Sequence, residues 1–303
     1  MLFGEGAPDL SHLHPSVQGI ARLPAAERIK HVRADRWIGY PRAVKTVARL
    51  EELLEWPGMQ RMPNLLIIGP TNNGKSMIVE KFRRGHLPVT EEDRERIPVL
   101  CVQMPSDPSV LRFYIALLAA LGAPLQPRRR LADVEQLALG LLRSTGVRML
   151  VIDELHNVLA GQNSSRREFL NLLRFLGNEL RIPIVGVGTR EAYLAVRSDD
   201  QLENRFEPVV LPLWSAGGET LSLLASFAAA LPLLRPSEIA TEDMAQYLLA
   251  RCEGTIGELT RLLTAAAIAA IESGEERISH RTLVMAEYVG PTERRRLFER
   301  ELL

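Results

Sequence analysis

Hydrophobic and polar positions along the chain follow two periods that take turns. Residues 64–68, 97–104, 147–152 and 182–189 are short runs dominated by Leu, Ile and Val. They lack polar alternation, as expected of strands covered on both faces. Between them the apolar positions recur at helical spacing. Val44, Val47, Leu50, Leu53 and Leu54 line one face of a helix over 43–54, with a stop at Trp56-Pro57-Gly58. Further helices are expected over 108–121, 131–142 and 164–180. Another begins at Leu23, residues 12–20 read as a polar loop or short arm, and 37–41 as a compact apolar turn. Residues 87–96 read as a charged loop. Strands alternating with helices predict a doubly wound α/β domain with a parallel sheet.

Beyond Val209-Val210-Leu211 the strand signal ends, and 220–231, 241–250, 256–273 and 279–288 all read as helices. A composition shift over 213–218 marks the boundary. The expected organisation is an N-terminal helical extension over 1–36, an α/β domain over 37–213, a helical lid over 214–290 and a tail over 291–303.

The most specific chemistry lies after the first strand. Gly69-Pro70-Thr71-Asn72-Asn73-Gly74-Lys75-Ser76 fits G-x-x-x-x-G-K-[ST], between an apolar run and a helix start at Met77. The glycines let successive N–H groups face one concave nest at a helix N-terminus, where unpaired amides and the dipole favour an anion. Lys75 then reaches phosphate oxygens, and the Ser76 hydroxyl takes a place on Mg²⁺. The expected ligand is ATP with Mg²⁺. A second element, Leu150-Val151-Ile152-Asp153-Glu154, delivers an acidic pair at the carboxyl end of a buried strand. Asp153 is the expected Mg²⁺ partner and Glu154 the expected general base for an attacking water.

Composition narrows the setting. The chain has 303 residues, and its 46% hydrophobic content is ample for a core built from Leu, Ala, Ile and Val. Lys plus Arg and Asp plus Glu number 37 each, so a nucleic-acid partner must be met by a local basic face rather than by net charge. Cys101 and Cys252 stand far apart and outside metal spacing, which suits inert packing in a reducing compartment. No apolar run reaches transmembrane length and the start lacks the pattern of a secretory signal. The expected address is the cytoplasm, with no membrane partner.

Taken together, the P-loop, the strand ending in Asp-Glu, a later strand ending in Thr189, a following Arg and a helical lid resemble the AAA+ ATPases. That resemblance implies that Thr189 is the sensor at the strand end and that Arg205, in Asn204-Arg205-Phe206, is the arginine finger, with Arg190 and Arg197 as competitors. Where many members carry Gly-x-x-Arg in the lid, this chain has Gly254-Thr255-Ile256-Gly257, and Arg261 one turn on is the available substitute. Ile38-Gly39-Tyr40 resembles the turn that packs on adenine and reads equally as a hydrophobic plug between helices.

The segments Arg36 to Ala43, Val151 to His156 and Gly254 to Leu259 narrow the resemblance to TniB, the transposition ATPase group similar to TnsC and related to the phage Mu B protein. The group implies a subunit that binds ATP, forms a homo-oligomeric ring or filament on double-stranded DNA, and directs a transposase to it. It also implies that the basic turn Arg128-Arg129-Arg130 faces the DNA, with Arg112 adding to the track and Arg166 and Arg167 as weaker candidates. The contacts are expected to go to phosphates, independent of base sequence. Another DNA-loading AAA+ ATPase, of helicase-loader or replication-initiator type, is the neighbouring reading. A P-loop transferase is disfavoured by the lid, and a switch that hardly hydrolyses is disfavoured by Glu154.

Overall fold

The computed structural model describes residues 9–92, 95–123 and 130–302. The chain divides into two compact units. One is Lys45–Pro212; the other gathers the residues up to Val44 with those from Leu213 on.

The first unit is the α/β one. Its strands are β1 (Asn64–Ile68), β2 (Val89–Thr90), β3 (Glu95–Arg96), β4 (Val99–Gln103), β5 (Met149–Asp153), β6 (Ile184–Gly188) and β7 (Phe206–Val210). The main sheet has the order β4-β5-β6-β1-β7, and every pairing in it is parallel. All five residues of β1 and of β6 are buried, which explains their continuous apolar run. Against one side lie helices Val110–Ala120 and Asn163–Leu180, where the Phe113 and Phe169 rings meet edge to face at 5.0 Å. Because the strands are parallel, the loops that follow β1, β5 and β6 emerge along one edge of the sheet, where ligands of open α/β sheets bind.

Three stretches differ from the sequence expectation. Residues 206–210 form a fifth strand beside β1, although only their last residues look strand-like. Phe206 alone is buried in it, and Pro208 is tolerated because an edge strand needs donors on one side only. The charged stretch 87–96 holds the antiparallel pair β2–β3, with Val89 opposite Arg96. Residues 15–21 are a helix rather than a loop, because Leu10, Leu13, Val17 and Ala21 bury a small apolar cluster of their own.

The second unit is helical. Its centre is Ile256–Glu272, whose Leu259, Leu262, Leu263, Ala266, Ala267 and Ala270 are fully buried. Helix Ala25–Arg33 of the N-terminal stretch packs on it. Arg28 forms two parallel bonds to the Glu276 carboxylate, at 2.6 and 2.7 Å, and a third to the Pro232 carbonyl. Tyr40 is also buried in this unit, its ring edge-on to Trp214 at 4.9 Å. Burial pushes the thiols of Cys101 and Cys252 up to about 11, as inert packing residues require. Among the described residues, no single helix is long and apolar enough to cross a membrane.

Candidate nucleotide site

The loop after β1 is built around two glycines. The Gly69 N–H donates to the Gly188 carbonyl at 3.1 Å, tying the loop to β6. A Cβ at Gly69 would stand 2.6 Å from the Leu211 carbonyl oxygen, so no larger residue fits. Gly74 has φ +84° and caps helix Lys75–Arg84 from the left-handed region, where a side chain is strained. Asn73, 2% exposed, donates from its side-chain amide to the carbonyls of Leu211 and Pro212 at 3.0 and 2.8 Å. The loop is thus fastened on both sides before any ligand is considered.

Lys75 opens the helix and folds its ammonium over the loop, donating to the carbonyls of Gly69 and Pro70 at 2.8 and 2.6 Å. Burial lowers its pKa, opposed by the charges of Glu154 and Asp153. An anion seated in the loop would therefore supply counter-charge to a cation already drawn out of water. Ser76, one residue on, donates from its hydroxyl to Asp153 Oδ2 at 3.2 Å, bridging 77 positions of sequence. The other Asp153 oxygen accepts from the Glu154 N–H at 2.8 Å. A hydroxyl and a carboxylate brought together at the mouth of a helix N-terminus are hard oxygen donors that suit Mg²⁺ and suit phosphate poorly by themselves.

Glu154 adopts φ +56°, a left-handed conformation that costs a non-glycine residue about 1–2 kcal/mol. It turns the chain into the short 3-10 helix Leu155–Ala160, and its carboxylate lies 3.2 Å from His156 Nε2. Thr189 follows β6 directly and precedes helix Arg190–Arg197. Its hydroxyl donates to the Glu191 carboxylate, which lowers that acid's pKa. The strand ends thus bring Gly69 to Ser76, Asp153, Glu154 and Thr189 to one edge of the sheet.

Other expected residues lie elsewhere. Arg205 precedes β7, and its carbonyl accepts from the Asn64 N–H at 2.8 Å, at the amino end of β1. With a rise of about 3.3 Å per residue, that is roughly 15 Å from the loop of the same subunit. Its guanidinium donates to Asn178. Arg197 pairs with Glu203 at 3.4 Å, whereas exposed Arg190 makes no ion pair among the described residues. Ile38 and Gly39 fall in the helical unit, as does Arg261, which pairs with Glu258 at 3.3 Å. Of the basic turn, Arg130 is exposed and caps helix Leu131–Ser144, while Arg128 and Arg129 lie outside the described residues. Arg112 is tied to Asp107. Sequence reasoning missed Asn73 as an anchor of the loop and Gly188 as its partner. Neither has a pattern of its own, because each acts through a contact made in space.

This sheet order, with the phosphate-type loop and the acidic pair on one edge and a helical unit after it, defines the P-loop AAA+ fold. Solved structures agree. The Orc1 protein of Aeropyrum pernix in complex with DNA has a TM-score of 0.59 at 18% identity, over 85% of this chain and 68% of that one. The ORC2 protein of the same organism, in ADPNP and ADP complexes, has 0.56 at 15%, over 84% and 71%. A Walker-type ATPase of Pyrococcus abyssi has 0.53 at 15%, over 84% and 75%. A comparison with curated proteins finds no match. The family described as Bacterial TniB protein matches residues 28–216, more than half of the chain. The chain belongs to the TniB family.

Proposed function

We propose that this protein is an ATPase of DNA transposition: it binds ATP with Mg²⁺, assembles on double-stranded DNA as a homo-oligomer, and recruits and activates a transposase. The observation that carries the nucleotide half is the Ser76–Asp153 contact at 3.2 Å, which brings the loop and the acidic strand end together beside Lys75. The nest and Lys75 hold the phosphates, and Ser76 with Asp153 holds Mg²⁺, which neutralises phosphate charge when bound. Glu154 takes a proton from the attacking water as its oxygen bonds to the γ-phosphorus. The bond from that phosphorus to the bridging oxygen breaks, and ADP and phosphate leave. Thr189, at the neighbouring strand end, orients the water or the γ-phosphate.

Family membership supports the transposition half, and the DNA carried by the Orc1 neighbour is in keeping with duplex DNA as the partner. Arg128, Arg129 and Arg130, with Arg112, are the proposed phosphate contacts, multiplied by oligomerisation on an otherwise neutral chain. Residues 37–213 act as the nucleotide-binding domain and 214–290 as its lid. Hydrolysis is slow in the free subunit and stimulated by assembly, because the finger comes from a neighbour.

Lys75→Ala is expected to abolish ATP binding, while Glu154→Gln keeps binding and loses hydrolysis. Nucleotide titration and phosphate release read the two. A Lys75→Ala protein that binds ATP like the parent would remove the site.

A further inference from the structure

The His156 side chain lies near both the Glu154 carboxylate and the end of β6. Its Nε2 lies 3.2 Å from Glu154 Oε2. On the far side of the ring, Nδ1 is buried and has no hydrogen-bond partner. The surface it faces is Gly188: a Cβ built there would come within 3.3 Å of the His156 N and 3.5 Å of Nδ1. Two residues earlier in β6, a Cβ at Gly186 would meet the Leu155 side chain at 2.6 Å. Two glycines of one strand therefore leave room for the segment that follows Glu154; at the second, a Cβ would meet the Ala192 methyl first, at 2.7 Å, with the His156 ring beside it.

The chemistry of this arrangement is directional. An ionised carboxylate only accepts, so a hydrogen bond across this 3.2 Å contact requires the hydrogen on Nε2. The opposite nitrogen, pressed on a glycine of β6, has no group to turn toward. A ring held in that way has one useful orientation. Glu154 itself stands on a left-handed backbone with a half-exposed carboxylate and, apart from His156, makes no ion pair among the described residues. Its direction is open unless something fixes it. Gly188 is also the residue immediately before Thr189, so the same ring lies beside the strand end that carries the proposed sensor.

We propose that His156 is a positioning residue that aims the Glu154 carboxylate by donating from Nε2. The proposal rests on the reading of Glu154 as the base. His156 does not touch the reacting atoms; it acts through Glu154.

The test compares two amides of similar polarity. Gln places its side-chain nitrogen near the position of Nε2, whereas Asn places it near Nδ1. In the full chain, His156→Asn and His156→Ala are expected to lower kcat for ATP hydrolysis about tenfold, as misaimed bases do. His156→Gln is expected to hold kcat within about threefold of the parent. All three should bind ATP within about twofold of the parent, since the loop and Lys75 are untouched. Equal kcat for the Gln and Asn variants, whether both high or both low, overturns the proposal. Should the Ala variant fail to fold, the Gln and Asn pair still decides. Glu154→Gln, measured alongside, separates the two readings: if it hydrolyses ATP like the parent, the base assignment fails whatever His156 does.

Discussion

Gly69 meets the Leu211 carbonyl so closely that the loop tolerates no side chain there, and this contact joins two ends of the α/β unit. A methyl group would have to displace backbone rather than a flexible side chain. Gly69→Ala is therefore expected to destabilise the fold by about 1–3 kcal/mol, the range for an overpacked site. It should also weaken ATP binding, because the nest would open where the first phosphate contacts form. Thermal unfolding and nucleotide titration read both effects, and a variant unchanged in either would mean that the loop yields more readily than its contacts suggest. Glu154 is a second residue at which local preference is overridden. Its left-handed φ is held by the Asp153 carboxylate on its own N–H and by the 3-10 helix after it.

Among the described residues, the ion pair most buried on both sides joins two parts of the helical unit, helix Ala25–Arg33 and the segment after helix Ile256–Glu272. The side chains of Arg28 and Glu276 are only 7% and 13% exposed, and they meet in the bidentate geometry that suits guanidinium and carboxylate. Removing one partner leaves a charge without its counter-ion in a buried place. Arg28→Met is expected to cost about 3–5 kcal/mol, whereas Arg28→Met with Glu276→Leu should cost far less. Chemical denaturation of the two variants and of Glu276→Leu alone completes the cycle. Equal losses for the single and double variants would show that packing, not charge, holds the helix.

At the scale of the whole molecule, the position of Arg205 matters most. It stands at the amino end of β1, a strand length from the loop of its own subunit, so a catalytic part for it requires a neighbour. Arg205→Ala is then expected to bind ATP normally and hydrolyse it slowly. Mixing Arg205→Ala with Glu154→Gln subunits should restore part of the activity, because one class of mixed interface holds both intact groups. Absence of rescue at every ratio, with mixed assembly verified by light scattering or micrographs, would pass the finger to Arg190 or Arg197.

Much of this was legible in the residues. The glycines, Lys75 and Ser76 stand in one contiguous stretch, and the buried strands announce themselves because burial on both faces leaves an unbroken apolar run. Asp153 and Glu154 sit at the end of such a run, so their place at the sheet edge follows from the strand itself. Other features were hidden because they depend on what lies opposite. The edge strand Phe206–Val210 is mostly exposed and carries a proline, so only its hydrogen bonds to β1 make it a strand. Helix Pro15–Ala21 exists through a small cluster closed from both sides. Strands β1, β4, β5 and β6, the phosphate-type loop and the acidic pair were readable from the residues alone, since each is local chemistry written in consecutive residues. The strand order, the meeting of Ser76 with Asp153 and the approach of His156 to Gly188 came from the folded chain alone. Those contacts join residues tens of positions apart, and chain packing alone brings them within reach.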